Sequence, residues 1–185
     1  DALGWGIVPP THLSEGPAGL GSMQEWIDGD VTLVDVMSPA DIQPGWLEVF
    51  RGVDSAGAQV ALVHRDDDVL ARIAAFDVLC NNADRKGGHL ITTDTGHTFG
   101  IDHGVTFHEE PKLRTVLWGW IGQPVAQQLL DDIARVMPTV AQSELGSLLS
   151  PAEMSALLRR ADHLVTSRVF PAPSPEWPAI PWPVF

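Results

Sequence analysis

Phe76-Asp77-Val78-Leu79-Cys80-Asn81-Asn82-Ala83-Asp84-Arg85-Lys86-Gly87-Gly88-His89 is the stretch on which the reading of this chain turns, with Gly100-Ile101-Asp102-His103-Gly104 shortly after it. Before it, Asp66, Asp67 and Asp68 offer an N-cap and favourable charge for the first turn of a helix. Val69, Leu70, Ile73, Phe76, Val78 and Leu79 follow as a broad apolar face, so the spacing predicts a helix that stops at Asn81-Asn82. After a glycine-bearing loop, residues 90–92 and 98–101 read as two short strands around the turn signal Asp94-Thr95-Gly96.

Working outward, residues 9–27 read as two strands joined by a Gly/Pro turn at Glu15-Gly16-Pro17-Ala18-Gly19. Residues 31–36 are an apolar run of either type, and residues 46–52 and 59–64 flank Asp54-Ser55-Ala56-Gly57 as a hairpin. The last third reads as helical. Residues 124–137 are amphipathic with proline at the tolerated first position, and Ser150-Pro151-Ala152-Glu153 is a capping box ahead of Met154, Leu157, Leu158, Leu164 and Val165. Residues 171–185 alternate proline with Trp177, Trp182 and Phe185, which predicts an extended strap over the surface. A proline-rich partner motif is the alternative, disfavoured because tryptophans favour burial.

A helix thus delivers a loop bearing Asp84-Arg85, and a second carboxylate, Asp102, ends the return strand. Phosphoryl transfer needs such a pair: one carboxylate orients the attacking hydroxyl and another holds Mg²⁺ against the phosphates. The bland alternative is a pair of turn-capping aspartates. Lys86 divides evenly between a phosphate contact and a solvated loop charge, and Asn81 and Asn82 read as loop scaffolding. The histidines His89, His97, His103 and His108 crowd into a short span and invite a zinc phosphohydrolase reading, but their spacing fits no standard zinc motif. Trp118 and Trp120, after the basic Lys112–Arg114 stretch, read as core. Cys80 reads as a buried thiol at a helix end.

These residues resemble the phosphatidylinositol 3- and 4-kinase-like superfamily and, more distantly, the HipA-type kinases. Those families place an Asp-Arg-x-x-x-Asn loop before Ile-Asp-x-Gly. A small bacterial subgroup carries Asn-Asn-Ala-Asp-Arg-Lys-Gly-Gly-His, which this sequence matches in full. The resemblance implies that Asp84 orients the acceptor hydroxyl, that Arg85 braces the loop or neutralises charge beside the moving phosphate, and that Asp102 is the principal metal ligand. His89 stands where the superfamily has a metal-binding Asn; imidazole is an uncommon Mg²⁺ ligand, so either His89 plays another role or the site, built for Mg²⁺, also takes Mn²⁺. Adenine of ATP would meet backbone near Gln24, Glu25 and Trp26, with a hinge over residues 27–30. The family's phosphate-covering loop, strand lysine and helical glutamate would precede Asp1, because Lys86 and Lys112 are the only lysines. The expectation is a fragment of a longer protein.

The implied architecture is α+β: a remainder of a small β lobe and hinge at 1–30, a mostly helical, kinase-like large lobe at 31–170, and the strap. The implied function is an ATP- and metal-dependent phosphotransferase acting on a hydroxyl of a soluble alcohol, an inositol-type compound or a protein. The alternative from another class is a degenerate nucleotide-binding or interaction module. In 185 residues, 44% are hydrophobic and 19% charged, the composition of a globular domain. The formal charge of -13 argues against nucleic acid and anionic lipid surfaces. No apolar run is long enough to span a membrane, and a single cysteine with no signal-peptide pattern fits a cytoplasmic home.

Overall fold

In the computed structural model, which describes residues 2–185, the helix expected from the aspartate cap is α1 (Asp68–Cys80). Asp67 caps it: one carboxylate oxygen accepts from the backbone N–H groups of Val69 at 2.8 Å and Leu70 at 3.3 Å. Asn81 ends it in the left-handed region, at φ 55°.

Among the described residues, seven strands make three small antiparallel sheets. β1 (Thr11–Gly16) pairs with β2 (Gly19–Gln24) as the hairpin read from the Gly/Pro turn. β3 (Val34–Met37), β4 (Trp46–Val53) and β5 (Gln59–Arg65) stand in the order β3-β5-β4. β6 (Leu90–Thr92) pairs with β7 (Thr98–Gly100). The remaining helices are α2 (Gln127–Val136), α3 (Glu144–Leu148) and α4 (Pro151–Ser167).

This corrects the expected architecture of a mostly helical, kinase-like large lobe preceded by part of a small β lobe. Five of the seven strands lie within residues 31–170, and the four helices are short. The physical reason is local. β5 presents Ala61-Leu62-Val63-His64 as an unbroken buried run, the signature of a central strand covered on both faces. Helical periodicity is confined to the cap-to-cap stretches of α1, α2 and α4, and Pro138 turns the chain into a 3₁₀ segment after α2.

The core gathers Leu70, Ile73 and Leu79 of α1, Leu129, Leu130 and Ile133 of α2, and Leu157, Ala161 and Leu164 of α4. Val34 and Leu62 join it from the three-stranded sheet. Trp118 and Trp120 are buried, as expected of core tryptophans. His64 is also buried: its Nε2 accepts from the Gly119 N–H at 3.0 Å, and its Nδ1 lies 2.8 Å from the Arg65 carbonyl. A Cβ on Gly119 would stand 2.5 Å from both His64 Nε2 and Leu47 Cβ. Gly119→Ala should therefore cost about 1–3 kcal/mol in a urea titration, as overpacking does; an unchanged midpoint would contradict this contact.

Residues 171–185 hold no helix or strand and run back across the loop after α1. The Ala179 carbonyl accepts from Thr115 N–H at 3.1 Å and Trp118 Nε1 at 2.8 Å, and the Val184 carbonyl accepts from Gly87 N–H at 2.8 Å. Trp177 is half-buried, whereas Trp182 is 85% exposed, against the expectation that the strap's tryptophans bury.

Candidate functional site

Asp77 lies on the buried stripe of α1, four residues after Ile73 and seven after Leu70, where a carboxylate needs a cation. Arg85 supplies it. Nε donates to Asp77 Oδ2 and Nη2 to Oδ1, both at 2.9 Å, with neither side chain exposed. Asn82 Nδ2 donates to Asp77 Oδ1 at 3.0 Å, and Asn82 Oδ1 accepts from the Asp84 N–H at 3.0 Å. Arg85 Nη1 reaches across to the carbonyls of Ile101 at 2.7 Å and His89 at 3.4 Å. Burial pulls the Arg85 pKa down, but the charge and hydrogen bonds of Asp77 outweigh it and leave it raised. Gly100 admits the guanidinium, since a Cβ there would stand 3.2 Å from Nη2.

Arg85 Nη2 also lies 2.7 Å from His103 Nε2. Guanidinium only donates, so His103 accepts at Nε2 and carries its proton on Nδ1. Burial first, then the Arg85 charge, lowers the His103 pKa to about 4, which keeps the ring neutral at pH 7.

Around this brace stand the expected site residues. Asp84 Oδ2 lies 3.6 Å from Lys86 Nζ, and its Oδ1 lies 3.7 Å from Arg114 Nη2. Asp102, directly after Ile101, adopts φ 55° and has a side chain 59% exposed. Its Oδ2 lies 3.4 Å from His89 Nε2. His89 Nδ1 accepts from the Lys86 N–H at 3.5 Å, so the neutral ring holds its proton on Nε2, facing Asp102. Burial, the largest influence, lowers the His89 pKa against the opposing pull of Asp102, and the ring is neutral at pH 7.

The structure therefore brings Asp84, Arg85, Lys86, His89 and Asp102 together and leaves Gln24, Glu25 and Trp26 outside those contacts. Gln24 bonds to Thr11 Oγ1, Glu25 N–H to the Pro10 carbonyl, and Trp26, 84% exposed, to Asp28. The chain from β2 meets the site's hairpin where Asp30 bridges Thr92 and Gly29 packs against Ile91 and Thr92. Among the described residues no group of three or more His, Cys, Asp or Glu side chains is placed to cage a metal, so the four histidines do not converge. His97 bonds the Gly6 carbonyl, and His108 sits beside Lys112 and Glu110. Asn81 and Asn82 are scaffolding: Asn81 Nδ2 donates to the carbonyls of His108 and Glu110, and Oδ1 accepts from Lys112 N–H. Cys80 is buried, which pushes its thiol pKa up and leaves it an unreactive thiol.

Sequence reasoning gave Asp77 no role and noted Arg114 only as part of the basic Lys112–Arg114 stretch. An acid on an apolar helical stripe was the available signal for Asp77; nothing local shows that Arg114 Nε donates to the Ala83 carbonyl, at 2.6 Å, from a segment far along the chain. Among the described residues no helix is long and apolar enough to cross a membrane.

No family model matches the chain. No solved structure matches it either. Protein Rv2133c of Mycobacterium tuberculosis is 44% identical over 197 aligned residues, covering 99% of this chain and 70% of that protein. The chain belongs to the family of protein Rv2133c.

Proposed function

We propose that the chain carries the phosphoryl-transfer centre of an enzyme that moves the terminal phosphate of ATP to a hydroxyl acceptor, with Mg²⁺ or Mn²⁺. The observation that carries this reading is the Arg85 brace. One buried cation, through Asp77, Ile101 and His89, holds the Asp84 loop and the segment bearing Asp102 in fixed relation. Phosphoryl transfer is mostly positioning and electrostatics, so a rigid mount for two carboxylates suits it.

Asp84 orients the acceptor hydroxyl. The acceptor oxygen forms a bond to the γ-phosphorus, the bond from that phosphorus to the β-phosphate oxygen breaks to leave ADP, and the hydroxyl proton passes to the Asp84 carboxylate and from there to solvent. Lys86 faces the phosphoryl group in flight, and Asp102 is the cation ligand. His89, with its proton toward Asp102, holds that carboxylate in place. One carboxylate and an adjacent imidazole do not make an all-protein cage, but they fit a cation that arrives on substrate phosphates, the usual Mg²⁺ arrangement. When bound, the cation neutralises charge between the β- and γ-phosphates.

A second reading, a metal-nucleotide-binding module without turnover, is favoured by one observation: both oxygens of Asp84 already face cations. Calorimetry of Mg²⁺- and Mn²⁺-dependent ATP binding tests what the two share. Asp102→Ala should abolish metal-dependent binding and His89→Ala should weaken it by about tenfold, as loss of a ligand-orienting partner does. Binding that is equal in Asp102→Ala and the parent chain would overturn both readings. Transfer of labelled phosphate to an acceptor separates them.

A further inference from the structure

Lys86 and Lys112 are the only lysines in a chain of formal charge -13; Lys86 stands with Arg114 beside Asp84, and Lys112 shares the Trp177 ring with Arg114. The Lys112 ammonium and the Arg114 guanidinium lie over one ring, that of Trp177, at 5.2 and 5.9 Å from its centroid. Trp177 comes from the strap, which the Ala179 carbonyl pins to Thr115 and Trp118. Its Nε1 is buried without a hydrogen-bond partner.

The contacts of these cations leave capacity to spare. Lys112 Nζ lies 3.2 Å from Glu110 Oε2 and 3.1 Å from His108 Nε2, and Glu110 is 67% exposed, so that ion pair is well screened. Arg114 uses Nε on the Ala83 carbonyl and turns Nη2 to Asp84. Both side chains are partly open, 24% for Lys112 and 29% for Arg114. Contact with one aromatic ring restrains both charged side chains before any ligand arrives, which lowers the ordering cost of binding.

We propose that Lys112 and Arg114, seated on Trp177, bind an anionic group of the acceptor, so that the site takes a hydroxylated phosphate monoester or hydroxy acid rather than a neutral alcohol. This rests on the phosphotransferase reading for the role of the acceptor hydroxyl at Asp84. The anion site itself does not depend on bound ATP or metal.

Indole N–H resonances of the ¹⁵N-labelled chain report on the site, with Trp177→Phe identifying the Trp177 signal. Glycerol 3-phosphate and glycerate should shift that signal saturably, while glycerol and sodium chloride of equal ionic strength should not. Arg114→Gln and Lys112→Gln should each weaken the response by about tenfold, the loss of one charge-assisted hydrogen bond. Asp102→Ala should leave it unchanged. Lys112→Gln removes no buried bond and keeps the test sound if Arg114→Gln fails to fold. No saturation by about 10 mM, or equal responses in parent and Lys112→Gln, would overturn the proposal. Failure of the phosphotransferase reading is seen separately, as absent metal-ATP binding while the glycerol 3-phosphate response persists.

Discussion

Arg85→Leu should lower the unfolding free energy by about 3–5 kcal/mol, because it strands the Asp77 carboxylate in the core without a cation. It also frees the carbonyls of Ile101 and His89 and the Nε2 lone pair of His103 from their donor. The cost is therefore not that of one surface ion pair. Asp77→Leu should be comparably damaging, since it strands the guanidinium instead. The double variant Asp77→Leu/Arg85→Leu should recover part of the loss, because an apolar pair avoids burying either charge alone. Guanidinium chloride titrations of the four proteins give the coupling. A loss under about 1 kcal/mol for Arg85→Leu would mean that the brace is a minor contact and would undercut the fixed geometry of Asp84 and Asp102.

Acid should destabilise the fold through His64. Burial lowers its pKa from 6.5 to about 4, although its bond to the Arg65 carbonyl and the Asp66 charge pull the other way. The neutral ring is the bonded form, accepting from Gly119 and donating to Arg65. As pH falls, the unfolded chain takes up this proton near 6.5 and the folded chain only near 4. The contribution of His64 is thus whole above pH 6.5, lost progressively down to about 4 and flat below. Its full size is roughly 3 kcal/mol. His103 titrates over the same interval, so the informative quantity is a difference. His64→Gln should show a shallower decline of stability than the parent between those limits, read by urea titration at stepped pH. Parallel declines would show that His64 does not carry the effect.

Local signals placed α1, with its Asp67 cap and Asn81 stop, and the hairpins β1–β2 and β6–β7, with their glycine turns. They also placed the capping box of α4, where Ser150 Oγ accepts from Glu153 N–H and Glu153 accepts from Ser150 N–H. Each follows from contacts within a few residues, which a linear sequence displays. The expected helical large lobe went wrong for the opposite reason. It was carried over from a resemblance whose strength lies between Phe76 and Trp118, and motifs there say little about how 31–65 folds.

The same division runs through the site. That Asp84, Lys86, His89 and Asp102 stand near one another was expected from the resemblance that their motif carries. Sequence by itself determined which carboxylates stand on either side of a short hairpin and that the chain is strongly acidic. Only the tertiary structure decided that Asp77 and Arg85 form the buried tie between them, that His89 turns its proton to Asp102, and that Arg114 reaches Asp84, and Trp177 reaches Arg114, from distant segments. Those outcomes depend on which polar groups lose water together, and burial is a property of the packed chain that no local pattern encodes.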